Sequence, residues 1–131
     1  MSLKISIGND LVHLPRFEKS LLMNGFVAKI FHPIEIEYCE KKKDKVSSYA
    51  ARFAAKEAFS KALGTGLYAQ GVAPTDVWIE NLPSGKPELR FSEKLQGLLK
   101  ERGWQGGDVS LSHHGEYALA HVILYHSPKV R

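Results

Sequence analysis

The chain has 131 residues, 44% of them apolar and 24% charged, the composition of an ordinary folded globule rather than of a disordered or fibrous chain. Its 18 basic and 14 acidic residues leave a formal charge of +4, which suits an anionic partner without choosing among nucleic acid, a phosphorylated cofactor and an acidic protein. A single cysteine, Cys39, excludes an intramolecular disulfide and hence a bridge-held secreted scaffold. With no apolar run of about 18 residues and no leader-like start, the expectation is a cytoplasmic protein that neither spans a membrane nor is exported.

No repeat or linker interrupts the sequence, so residues 1–131 are expected to form one domain. Ile5 and Ile7 alternate with Lys4, Ser6 and Gly8, which predicts a short strand ending at Asp10. A helix follows from about Pro15 to Met23, stopped by Asn24-Gly25. His32-Pro33 opens a second short helix, which runs into Lys41, Lys42, Lys43 and Lys45, a basic run that reads as a solvated helix end. Ser47 or Ser48 is expected to cap a long third helix that reaches Leu63 and stops at Gly64. Beyond it the pattern gives a strand at Val77 and Ile79, a turn at Ser84-Gly85 and a return strand from Pro87 to Phe91. A helix from about Ser92 to Arg102 comes next, then a hairpin of Val109–His113 and Tyr117 to about Tyr125 across His114-Gly115. The fold class is therefore α+β, an antiparallel sheet with a long helix packed on it.

Two places invite chemistry. At Gly8-Asn9-Asp10 a glycine allows close approach of a ligand, and Asp10 offers a hard oxygen donor. The competing reading is an Asp that merely caps the following helix. On the third helix, Ala51, Ala54, Ala55, Ala58, Phe59, Ala62 and Leu63 fall in one half of the wheel and Arg52, Lys56, Glu57, Ser60 and Lys61 in the other. An ordinary solvated face explains that stripe too. The mixture of three cations with one carboxylate nevertheless matches a phosphate site with a magnesium ion beside it: Arg52, Lys56 and Lys61 for the phosphates, Glu57 and Asp10 for the metal.

Other chemistries find no support. Strand periodicity turns His113 away from Ser112, and the six histidines show no zinc-ligand spacing. There is no nucleophile elbow, Walker loop or dinucleotide fingerprint. A non-enzymatic basic module binding nucleic acid is the alternative of another class, but most aromatic residues sit at apolar-periodic positions instead of on an exposed sheet.

Three segments together resemble the holo-acyl-carrier-protein synthases, which are small phosphopantetheinyl transferases. These are Gly8-Asn9-Asp10 with Arg16 behind it, the run FAAKEAFSKALGTG over Phe53–Gly66, and VSLSHHGEYALAHVIL over Val109–Leu124, joined by the Ser84-Gly85-Lys86-Pro87 turn. The resemblance implies a trimeric 4'-phosphopantetheinyl transferase fold with a site at each subunit interface. It also implies magnesium-dependent transfer of the phosphopantetheine arm from coenzyme A to a serine of an apo-acyl carrier protein, giving adenosine 3',5'-bisphosphate in support of fatty acid synthesis. Carried over by position, Asp10 and Glu57 are the expected magnesium ligands, and Glu57 and Lys61 the catalytic residues. Arg52, Lys56, Ser60, Lys61, Gly64 and His113 are the coenzyme-binding residues, with Arg52 and His113 at the 3'-phosphoadenosine end. Either Glu57 or a metal-bound water takes the serine proton. The acidic carrier is expected to dock on the first helix at Arg16 and Lys19, with Met23 as an apolar anchor; neither nucleic acid nor a membrane is an expected partner. The chain departs from the family pattern at Asn9, usually apolar, and at His114, usually small and polar.

Overall fold

The computed structural model describes residues 2–65 and 71–128; Gly66, the last residue of the long motif, lies outside them. In chain order the elements are β1 (Lys4–His13), α1 (Leu14–Leu21), α2 (Phe26–Ile30), α3 (Pro33–Glu40), α4 (Lys45–Leu63), a 3-10 turn (Pro74–Asp76), β2 (Val77–Asn81), β3 (Pro87–Phe91), α5 (Glu93–Glu101), β4 (Gly106–His114) and β5 (Tyr117–His126). Two antiparallel sheets result, a three-stranded one in the order β1-β5-β4 and the β2-β3 hairpin. Helix α4 lies across the inner face of the larger sheet.

Side-chain size sets how close that helix lies. On the inward positions β1 presents Ser6, Gly8 and Asp10, and β5 presents Ala118, Ala120 and Val122, while α4 answers with Ala51, Ala54, Ala55, Ala58 and Ala62. Small residues on both sides let the backbones approach until a Cβ on Gly8 would lie 1.9 Å from the Ala58 carbonyl oxygen. The Ser6 hydroxyl donates to the Ala62 carbonyl at 2.6 Å, fixing the helix end on the strand. The close approach that Gly8 permits is thus to α4 rather than to a ligand. Bulk comes from the ends, where Phe17, Phe26 and Phe53 pack edge-on or tilted against one another and Phe59 packs on Phe91.

Several expectations change. Strand β1 does not end at Asp10 but continues to His13, because β5 pairs with it through His13 and Tyr117. Asp10 is therefore a mid-strand residue opposite Ala120, not a helix cap. Helix α1 ends at Leu21, so Met23 lies past the helix instead of one turn along its face; Gly25 at φ 81° then starts the short α2, which no periodicity announced. Helix α4 is capped by Asp44, whose carboxylate accepts from the Ser47 N–H at 3.1 Å, and not by Ser47 or Ser48. Its far end matches expectation, with Gly64 at φ 88°.

The alternation in β1 and β5 is inverted relative to a solvated sheet. Ile5, Ile7, Leu11, Tyr117 and Tyr125 are on the outer face and exposed, Ile7 by 66%, and Leu119 and Ile123 continue the same patch.

Candidate active site

Most of the polar half of α4 is not solvated. Arg52, Lys56 and Ser60 are all buried, which makes the helix a buried core element nearly all round its N-terminal two-thirds. Lys56 is 1% exposed and its ammonium is fully engaged: Glu35 at 2.7 Å, the Pro74 carbonyl at 3.0 Å and the Val77 carbonyl at 2.5 Å. Burial pulls the Lys56 pKa below its usual range, opposed chiefly by the Glu35 charge. With its three donors taken, Lys56 does not present a charge to a phosphate as expected; it ties α4 to the chain around it. Glu35, which sequence reasoning missed, is itself fully buried. Its only sequence signal is a capping box with His32, whose N–H it accepts at 3.0 Å.

Arg52 and His113, expected together, border the same cavity. Both line a cleft of about 490 Å³ between α3, the start of α4, the β2-β3 hairpin and β4. Arg52 donates to the Ser48 carbonyl at 3.1 Å and to Asn81 Oδ1 at 2.7 Å. Its guanidinium carbon lies 4.2 Å from the centre of the Tyr38 ring, and its Nε is buried without a protein partner. Exposed His113 stands at the opposite wall, near enough to Asp44 to help hold that carboxyl low, an effect led by the Ser47 hydroxyl and N–H. Lys42 and Lys43 also line the cleft. Half of the basic run is thus turned to a cavity, while Lys41 and Lys45 pair with Glu37 at 3.3 Å and Glu40 at 3.0 Å.

The second cluster lies farther along α4. Lys61 Nζ reaches Asp10 Oδ1 at 3.1 Å and the Asn9 carbonyl at 3.0 Å, bridging helix and strand while its side chain stays 56% exposed. Glu57 is pushed above the ordinary carboxylate range, first by burial, then by the neighbouring Asp10 charge, with Lys61 opposing. A pair of carboxylates in which the Asp10 charge raises Glu57, with hard oxygen donors, suits a divalent cation such as magnesium. Among the described residues no group of three or more His, Cys, Asp or Glu side chains converges, so a cation here would need ligand and water oxygens for the rest of its shell. Ser60 spends its hydroxyl on the Glu57 carbonyl at 2.8 Å, and Gly64 terminates the helix through N–H bonds to Ser60 and Lys61. Neither shows a free donor aimed at a ligand.

From Arg52 to Glu57 the helical rise is about 8 Å. Helix α4 therefore borders a cation-lined cleft at Arg52 and, farther along, brings Glu57 and Lys61 to Asp10 of β1.

Residues 6–122 match the family model described as the 4'-phosphopantetheinyl transferase superfamily. The holo-[acyl-carrier-protein] synthase of Trichlorobacter lovleyi is 43% identical over 122 residues, covering 92% of this chain and 96% of that protein. Among solved structures, the holo-[acyl-carrier-protein] synthase of Neisseria meningitidis superposes with a TM-score of 0.82 at 32% identity, over 91% of this chain and 96% of its own. That of Bacillus anthracis, in complex with CoA (3',5'-ADP), gives 0.77 at 34% identity, over 96% of this chain and all (100%) of its own.

Proposed function

The chain belongs to the 4'-phosphopantetheinyl transferase superfamily, and from that premise we propose how its residues divide the work of a holo-acyl-carrier-protein synthase. The protein transfers the 4'-phosphopantetheine arm of coenzyme A to a serine of an apo-acyl carrier protein and releases adenosine 3',5'-bisphosphate. The observation that carries the assignment of residues is the two-ended site on α4, with its cleft at Arg52 and His113 and the Asp10-Glu57-Lys61 cluster beyond.

The 3'-phosphoadenosine end lies in the cleft, where Arg52, His113, Lys42 and Lys43 supply positive charge and the Tyr38 ring an aromatic wall. The pyrophosphate lies along α4 toward Lys61. Asp10 and Glu57 hold magnesium, which when bound stabilises charge on the pyrophosphate oxygens. The carrier serine oxygen forms a bond to the β-phosphorus as the bond from that phosphorus to the bridging oxygen breaks, and the pair of electrons leaves with adenosine 3',5'-bisphosphate. Lys61, already tethered beside Asp10, neutralises the oxygens that gain charge. Glu57 is the group on this chain that accepts the serine proton, its raised pKa making it a better base than an ordinary carboxylate.

Exposed Arg16 and Lys19 on α1, with exposed Leu22 and Met23 beyond its end, form the docking surface for the acidic carrier. The apolar outer face of β1 and β5 is where copies of the chain meet, in a trimer whose sites are shared between neighbours. The lone cysteine, Cys39, is buried and free, in keeping with a cytoplasmic setting. The nucleic-acid module is not favoured, since the basic run is divided between ion pairs and the cleft.

Incubation with coenzyme A, magnesium and apo-carrier should add one phosphopantetheine mass to the carrier and release adenosine 3',5'-bisphosphate. An Asp10→Ala chain that folds should leave the carrier unmodified. Modification by that variant at the parent's rate and magnesium requirement would remove Asp10 from the site.

A further inference from the structure

Glu35 does not line the cleft, yet every element that grips Arg52 is fastened to it. Its Oε1 accepts from Lys56 at 2.7 Å and from the His32 N–H at 3.0 Å, and its other oxygen accepts from the Ile79 N–H at 3.0 Å. One carboxylate thereby joins α3, α4 and β2. Step one turn along α3 from Glu35 and the residue is Tyr38, whose ring lies against the Arg52 guanidinium at 4.2 Å. Step back one turn along α4 from Lys56 and it is Arg52 itself. Two residues along β2 from Ile79 is Asn81, which takes an Arg52 N–H at 2.7 Å. The three ties of Glu35 are repeated, one step outward, as the three components of the cleft's cationic wall. Lys56 extends the clasp through its bonds to Pro74 and Val77, at the base of β2.

A buried ion pair is a poor device for stability alone, because desolvation offsets much of its Coulomb energy and a well-packed apolar pair often does as well. What it does provide is a single geometry, since each oxygen and each ammonium proton must meet its own partner in a water-free interior. We propose that Glu35 is a positioning residue for coenzyme binding: it holds α3, α4 and β2 in the one register that keeps Tyr38, Arg52 and Asn81 together as the wall of the cleft. This rests on the cleft being the seat of the 3'-phosphoadenosine group.

Calorimetric titration of adenosine 3',5'-bisphosphate, with neither metal nor carrier present, separates positioning from mere stability. The variants are Glu35→Gln, the milder Glu35→Asp, and Leu95→Ala, which opens a cavity in the fully buried part of α5 away from the cleft. Glu35→Gln should bind the bisphosphate about tenfold more weakly than the parent, the order of one lost charge-assisted contact. Glu35→Asp should fall between, and Leu95→Ala should bind normally despite a comparable or larger drop in melting temperature. Parent-like binding by a folded Glu35→Gln, or by Glu35→Asp if the former does not fold, overturns the inference. So does equal weakening in Leu95→Ala, which would trace the effect to stability while leaving the cleft assignment intact. A parent that fails to bind the bisphosphate at all would defeat the cleft assignment and this inference with it.

Discussion

The raised pKa of Glu57 costs the folded chain stability at neutral pH. Its pKa in the folded chain is raised by burial and by Asp10, so the folded state favours the protonated form. Whatever it adds to stability is complete below its unfolded pKa and lost as pH rises through its folded one. Glu57→Gln should therefore melt at or above the parent at neutral pH, with the gap closing toward pH 4, while transfer activity falls by orders of magnitude; thermal melts across pH beside a transfer assay would check both halves. A Glu57→Gln chain that is less stable than the parent at neutral pH would show that the carboxylate is held by favourable contacts instead. The reactive and inert side chains of α4 are hard to tell apart by type. A wheel shows that Arg52, Lys56 and Ser60 share a stripe with Glu57, but the cover over that stripe comes from Glu35, Asn81 and Tyr38 on other elements. Their contribution is long-range, so periodicity expected a solvated face where the structure buries one.

Elements whose cues are local were readable: the glycine stop of α4, the proline start of α3, the start of α5 at about Ser92 and the β2-β3 turn all stand where their residues demand. Cues failed where two neighbours competed or where pairing decided. Asp44 and Ser47 can each cap, and the carboxylate wins by accepting from both the N–H and the hydroxyl of Ser47. The extension of β1 past Asp10 is dictated by β5, 100 and more residues downstream. At this scale Gly8 is the sharpest test. Its missing side chain sets the gap between β1 and α4, and Asp10 and Glu57 stand on either side of that gap. Gly8→Ala should cost about 1–3 kcal/mol by overpacking, and it should lower transfer activity beyond what the loss of folded protein explains. Activity measured well below the melting temperature at rising magnesium distinguishes the two; complete recovery at high magnesium would mean that only metal affinity is affected.

At the scale of the whole molecule, charge and apolar surface are placed on different faces. Arg16→Glu on α1 should raise KM for the carrier at least several-fold and leave KM for coenzyme A within about twofold, with added salt reproducing part of the effect in the parent; steady-state kinetics against each substrate in turn would show it. The outer face of the larger sheet makes the opposite demand, because exposed Ile5, Ile7 and Leu11 form a patch that solvent does not favour. Light scattering on the parent should return three copies, and Ile7→Glu should return one, with diminished transfer activity at the same chain concentration. A parent that stays monomeric and fully active would leave the patch to some other partner. Strand β1 has two unlike faces, with Ser6, Gly8 and Asp10 looking inward and Ile5, Ile7 and Leu11 looking outward. Since successive side chains alternate, a one-residue change of length reverses the facing of every residue beyond it. Deleting a single residue between Lys4 and Gly8, with the pairing to β5 re-formed from the His13 end, would shift only the far end of the strand. Deleting one between Asp10 and His13 would instead turn Asp10 to the outer face and drive Ile7 toward the Ala58 carbonyl, which should abolish transfer activity.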